Sequence, residues 1–136
     1  MPVDLRNAQR RRLDTRRLKK DAEKLLEQAG RPDWILSVLL TSDREMATLH
    51  ERWMREEGPT DVLSFPGDRR LALLGDIAIS VDTAARCRPA AVYLEVRHYL
   101  IHGLLHLLGY DHRTVRQRDR MTAKARALSE ALHAAA

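Results

Sequence analysis

The chain has 136 residues, 44% hydrophobic and 32% charged, which suits one globular domain with a proper core and excludes a disordered chain. No apolar run approaches the roughly 20 residues of a membrane span, and Met1-Pro2-Val3-Asp4-Leu5-Arg6 lacks the basic start and apolar stretch of a signal peptide. The single cysteine, Cys87, excludes an internal disulfide and fits a cytoplasmic setting, and a net charge of +5 favours anionic partners such as nucleic acid.

Val3-Asp4-Leu5-Arg6 alternates apolar and polar residues, the pattern of a short opening strand. Leu18, Ala22, Leu25, Leu26 and Ala29 then recur at helical spacing, with Gly30 and Pro32 as the stop. Arg16, Arg17, Lys19, Lys20 and Lys24 form the opposite face of that helix. Trp34 to Leu40 is a β-favouring apolar run, and Thr41-Ser42-Asp43 offers N-caps for a helix over about Arg44 to Met54. Gly58-Pro59-Thr60 reads as a turn, and Asp61 to Phe65 as a strand ended by Pro66-Gly67. Leu73 to Ser80 is a further strand in which Gly75 marks a bulge or a close approach.

Ser80 to Arg88 forms a short helix before Pro89. Ala91 to Leu108 is the longest unbroken helical stretch and is apolar almost all round, which places it at the centre of the fold. A last helix covers about Val115 to His133. Strands mixed with helices, without strict β-α alternation, predict an α+β fold: a small mixed sheet packed with helices. No repeat, linker or composition break divides residues 1–136, so they are read as a single domain.

The informative segment is His102-Gly103-Leu104-Leu105-His106-Leu107-Leu108-Gly109-Tyr110-Asp111-His112. Histidines four apart stack on one helix face, about 6 Å apart along the axis. Such a pair is common and by itself signals no metal. Here Gly109 can end the helix in a left-handed conformation and turn the chain back, so that His112 reaches the same point from outside the helix. The surrounding run is also too apolar to leave imidazoles without partners. Three nitrogens from His102, His106 and His112 leave a fourth position for solvent, the open pattern of a catalytic zinc site. His98, one turn earlier on the same face, reads as a residue on the rim or one that supports a ligand from behind, because a fourth protein ligand would close the site. His50 and His133 read as solvated surface residues.

The spacing H-x-x-x-H-x-x-G-x-x-H is that of the metzincin zinc proteases, which carry a glutamate base directly after the first histidine. Here that position is Gly103, so the peptidase route lacks its proton acceptor. A small residue there is expected to leave room for a nucleotide near the metal.

Two further blocks accompany the histidine segment: Pro59-Thr60-Asp61-Val62-Leu63-Ser64-Phe65-Pro66 and Leu74-Gly75-Asp76-Ile77-Ala78-Ile79-Ser80. With these blocks and the opening Val3-Asp4-Leu5-Arg6-Asn7, the sequence resembles the YbeY family of endoribonucleases, the bacterial ribosomal RNA maturation factors. The resemblance implies a single α+β domain with one zinc ion held by His102, His106 and His112. It implies a metal-dependent, single-strand-specific endoribonuclease that matures the 3′ end of small-subunit ribosomal RNA. It also implies a role in ribosome quality control, with ribosomal RNA and ribosomal components as partners. Two features depart from the family's commoner form. An arginine is expected directly after the aromatic Trp53, but Met54 stands there and Arg55 follows; Arg55 is either a shifted phosphate contact or a solvated helix-end residue. The segment after His112 is basic (Arg113, Arg116, Arg118, Arg120), where acidic residues are expected.

The expected chemistry is metal-assisted phosphodiester cleavage, with zinc lowering the pKa of bound water toward about 7 and polarising a phosphoryl oxygen. Asp111 and Asp76 are candidates to orient a ligand imidazole or the attacking water. The alternatives are a helix-exit turn residue for Asp111 and a strand-entry residue for Asp76. Arg55, Arg97 and Arg10-Arg11-Arg12 are candidates to bind the RNA backbone. So few aromatic residues argue against a base-stacking platform. Two other functions remain open: a zinc-dependent hydrolase of another substrate, peptides included, and a non-catalytic ribosome-assembly factor with a structural metal.

Overall fold

The structure, a computed structural model, describes residues 2–54 and 61–134. Arg55 and the Gly58-Pro59-Thr60 turn lie outside the described residues. The elements run β1 (Val3–Asn7), α1 (Thr15–Gln28), β2 (Ile35–Thr41), α2 (Asp43–Met54), β3 (Val62–Pro66), β4 (Leu73–Ser80), α3 (Val81–Cys87), α4 (Val92–Leu107) and α5 (Val115–Ala134). A 3-10 turn, Arg69–Leu71, precedes β4. The sheet order is β1-β2-β4-β3. β1, β2 and β4 are parallel, and β3 lies antiparallel to β4 at one edge. This is the small mixed sheet that the strand pattern predicts.

Alternation of side chains sorts the strands onto two faces. On one face Leu36, Val38, Leu40, Ile77 and Ile79 meet the apolar stripe of α1 and the nearly all-apolar α4, where Leu100, Leu104 and Leu105 are fully buried. On the other face α2 sets Met46 against Leu63 and Ala78. α4 is therefore central, as its composition predicts. It is not the longest helix, however: α5 has 20 residues and α4 has 16. The span of about Val115 to His133 read from the sequence already matches α5 to within one residue.

Gly75 fulfils both roles expected of it. Ile35 pairs with Leu73 and Leu36 with Gly75, which leaves Leu74 as an extra residue in β4. Gly75 itself has φ +147, and a Cβ there would stand 2.3 Å from the Phe65 carbonyl oxygen. Where β4 runs into α3, the Ser80 and Thr83 hydroxyls donate to Asp43 Oδ1 at 2.6 and 2.7 Å, and Arg86 pairs with the other oxygen. Burial alone would raise the Asp43 carboxyl, but these bonds outweigh it and hold its pKa at about 2. The network ties the start of α2 to the start of α3.

Arg97 corrects an expectation. It is only 5% exposed and is held inside the helical layer by Asp21 of α1 at 3.6 Å and His133 of α5 at 2.8 Å. A buried guanidinium needs such partners, and Arg97 is committed to them rather than free to pair with phosphate. His133 is exposed but serves this contact, and His50 is half-buried rather than fully solvated. Among the described residues no helix is long and apolar enough to cross a membrane.

Candidate metal centre

His102 and His106 lie one turn apart on α4, and their Nε2 atoms are 3.0 Å apart. Their rings stand nearly edge to face, with centroids at 4.6 Å. The helix ends at Leu107 with Leu108 as its C-cap, after which Gly109 takes φ +99. The Gly109 N–H donates to the His106 carbonyl, and the Tyr110 N–H reaches back to that of Leu105. These two bonds form a Schellman cap. A Cβ at Gly109 would meet nothing within 4 Å, so the backbone angle, not space, calls for glycine there.

The reversal brings the His112 ring to 5.9 Å from that of His102 and 5.2 Å from that of His106. One ring nitrogen from each histidine falls within 4.8 Å of the others. Two imidazole nitrogens that share one ion at about 2.0–2.1 Å in a tetrahedral shell stand roughly 3.3 Å apart. The His102–His106 spacing is close to that figure, so the donor set fits a metal that prefers nitrogen ligands. Among the described residues no fourth histidine, cysteine or carboxylate joins the group. His98 is exposed on the rim.

Both helical imidazoles are held below the ordinary histidine value of 6.5. Burial is the main cause for each. For His102 the neighbouring His106 adds to it and the Asp61 carboxylate works against it. For His106 the neighbour is His112, and Asp111 is the opposing charge. The neutral form, which offers a lone pair to a metal, is thereby favoured.

Gly103 is buried against the sheet. A Cβ there would stand 2.9 Å from Ile77 Cγ2, 3.1 Å from Ser64 Oγ and 3.2 Å from Val62 Cγ2. The Ser64 hydroxyl donates to the Gly103 carbonyl at 3.1 Å. The missing side chain therefore lets α4 approach β3 and β4; it does not open space for a nucleotide, as the sequence reading expects. A glutamate at this position would also be directed into the sheet.

The candidate acidic residues separate. Asp111 Oδ1 accepts the His112 N–H at 2.7 Å, and its Oδ2 pairs with Arg113 at 3.1 Å. At 3.8 Å from His112 Nδ1 it is too far for a hydrogen bond to that ring. Asp111 thus shapes the loop that delivers His112. Asp76 pairs in register with Phe65 and Ser37 and lines a groove with Asp4 and Arg6 on the α2 side of the sheet. Ile77, its neighbour, points to α4 instead, so the sheet separates Asp76 from the histidines. Of the N-terminal arginines, Arg11 pairs with Asp82 at 2.7 Å, while Arg10 and Arg12 are exposed.

Two residues beside the site escape the sequence reading. Asp61, whose charge acts on His102, sits in the quoted Pro-Thr-Asp block and carries no other signal. Arg118 lines a cavity with His98, His102 and His112, but in sequence it is one arginine among several.

A family model described as endoribonuclease YbeY matches residues 4–133. The chain belongs to the YbeY family. It is 38% identical to the endoribonuclease YbeY of Geobacter metallireducens over 93% of this chain and 92% of that protein. It is 46% identical to the endoribonuclease YbeY of Anaeromyxobacter dehalogenans over 85% of this chain, but spans 59% of the length of that protein. A Thermotoga maritima protein solved in solution has a similar fold, with a TM-score of 0.66 and 26% identity over 96% of this chain and 88% of that one. The α+β architecture is thus the one the YbeY resemblance implies.

Proposed function

We propose that this chain is a metal-dependent endoribonuclease that holds one zinc ion through His102, His106 and His112 and cuts single-stranded RNA. Its proposed setting is the cytoplasm, where it acts in 3′-end maturation of small-subunit ribosomal RNA and in ribosome quality control, with ribosomal RNA and ribosomal components as partners. The observation that carries the reading is the convergence of three imidazole nitrogens within 4.8 Å in a chain of the YbeY family.

A divalent ion bound there supplies Lewis acidity toward a phosphoryl oxygen and lowers the pKa of water toward about 7. The chain's own residues prepare the site. Burial lowers the pKa of His102 and of His106, which favours the neutral rings that can act as ligands. The Gly109 reversal and the Asp111 bond to the His112 N–H hold the third ring in place. Asp61 places a negative charge near His102, which strengthens that ring as a ligand. Arg55 is proposed as a phosphate contact; the roles given to Asp111 and Asp76 become loop shaping and groove lining.

The direction in which position 103 faces disfavours a peptidase, because a base placed there would not face the histidines. Incubation of the zinc-loaded protein with a single-stranded RNA oligonucleotide and, separately, with an unstructured peptide tests the reading. RNA cleavage that is lost in His102→Ala, with the peptide intact, is the expected result. A folded His102→Ala protein that still cuts RNA at the normal rate would overturn it.

A further inference from the structure

The cavity at the triad is not closed. It is lined by His98, His102, His112, Arg118 and Thr122 among others, and it shares His98, Thr122 and Ala125 with a groove of about 630 Å³ between α4 and α5. The two form one trough from the histidines toward the far end of α5.

Its α5 wall carries a polar stripe. Arg118, Thr122 and Arg126 follow one another at steps of four residues, so they lie on one helix face. Eight residues of helix separate the two arginines by about 12 Å, the span of roughly three to four stacked nucleotides. Both arginine side chains are exposed, and among the described residues neither has a hydrogen bond or ion pair. The other cations in the groove are engaged: Arg88 with Glu95 at 3.8 Å, and Arg97 with Asp21 and His133. Glu130 is the remaining acidic residue of the lining.

Two free guanidinium groups in a groove continuous with a hydrolytic centre match a polyanion laid along it. We infer that the α4–α5 groove holds the RNA strand next to the cleavage point, with Arg118 and Arg126 each contacting a backbone phosphate. Arg118, nearer the histidines, positions the phosphate closest to the scissile one. Recognition there is chiefly of charge and spacing, because the lining holds no tryptophan, tyrosine or phenylalanine to serve as a base-stacking platform. This inference rests on the proposed RNA cleavage.

Initial rates of single-stranded RNA cleavage by the full zinc-loaded chain, measured over a range of salt concentrations, test it with Arg118→Ala, Arg126→Ala and the double variant. Each single change is expected to raise KM roughly fivefold with kcat little altered, the mark of lost substrate binding. The slope of log kcat/KM against log salt should become shallower by about 0.7 for each arginine removed. Arg70→Ala, which removes an equal charge at an exposed site paired with Asp68, should leave the slope as it is. Arg118→Lys should recover part of the lost KM. Unchanged KM and slope in the double variant, or a loss no larger than that of Arg70→Ala, would overturn the groove assignment while leaving the nuclease reading intact. Absence of RNA cleavage by the unaltered chain would instead remove the nuclease reading and the groove with it.

Discussion

Across one turn of α4, His102 Nε2 and His106 Nε2 face each other at 3.0 Å. Two ring lone pairs at that distance repel unless a proton or a cation lies between them. In the metal-free chain one tautomeric N–H can bridge the pair. A metal bound there would take the place of that proton and would engage His112 as well. Zinc is therefore expected to stabilise the fold by linkage: at a free concentration one hundred times Kd the gain is about 2.7 kcal/mol, or several degrees in Tm. Thermal unfolding with and without zinc measures it. His106→Ala should abolish the shift yet stay folded in the absence of metal, because the ring lies outside the buried cluster that holds α4 to the sheet.

Acid should destabilise the metal-free chain through the same pair. His102 and His106 titrate below 6.5 in the folded protein, so between those lowered values and 6.5 the unfolded chain binds more protons. Stability then rises with pH across that window. The contribution is full above 6.5 and is lost as pH falls through the folded values. Denaturant unfolding between pH 8 and pH 5 should show this fall, and a His102→Gln, His106→Gln variant should give a flatter profile. Zinc affinity should fall over the same range, because protons compete for the same nitrogens.

Gly103→Ala tests the contact between α4 and the sheet. Its Cβ would press on Ile77 Cγ2 and Val62 Cγ2, the branched methyls of two strand residues, and on Ser64 Oγ. Overpacking of this kind costs about 1–3 kcal/mol, against a gain of about 1 kcal/mol in helix propensity. We expect a net loss of about 1 kcal/mol by chemical denaturation, together with reduced activity as His102 moves with the helix. Gly103→Glu should lose far more stability and should acquire no peptidase activity.

Gly109→Ala separates metal binding from packing. No atom obstructs a methyl group there, but φ +99 is strained for any residue with a Cβ. The expected cost is about 1–2 kcal/mol of stability, with a larger proportional loss in zinc affinity because the turn delivers His112. Calorimetric zinc titration of the variant beside Gly30→Ala measures the difference. Gly30 also has a positive φ, +72, but it lies at the end of α1 and away from the histidines.

Local signals account for what the sequence revealed. Helical spacing in α1, alternation in β1 and the glycine before His112 are all set by residues within a few positions of one another, and each appears in the structure where the pattern places it. The side of the sheet on which Asp76 falls is different, because it depends on which face α4 covers. So does the burial of Arg97, which needs α1 and α5 to arrive from distant parts of the chain. Gly103 shows the limit most clearly. Its absent side chain reads as open space beside a metal, whereas the fold uses it for contact with Ile77, Ser64 and Val62. Arg118 is marked only by where α5 docks, which no local pattern records.

The central claim is that His102, His106 and His112 hold a single ion on which RNA cleavage depends. Titration of the demetallated protein with zinc, with cleavage of a single-stranded RNA followed at each addition, tests it most directly. Activity should start near zero, rise linearly and level off at one equivalent of zinc per chain. Full activity before any zinc is added, or none after saturation of a folded protein, would contradict it.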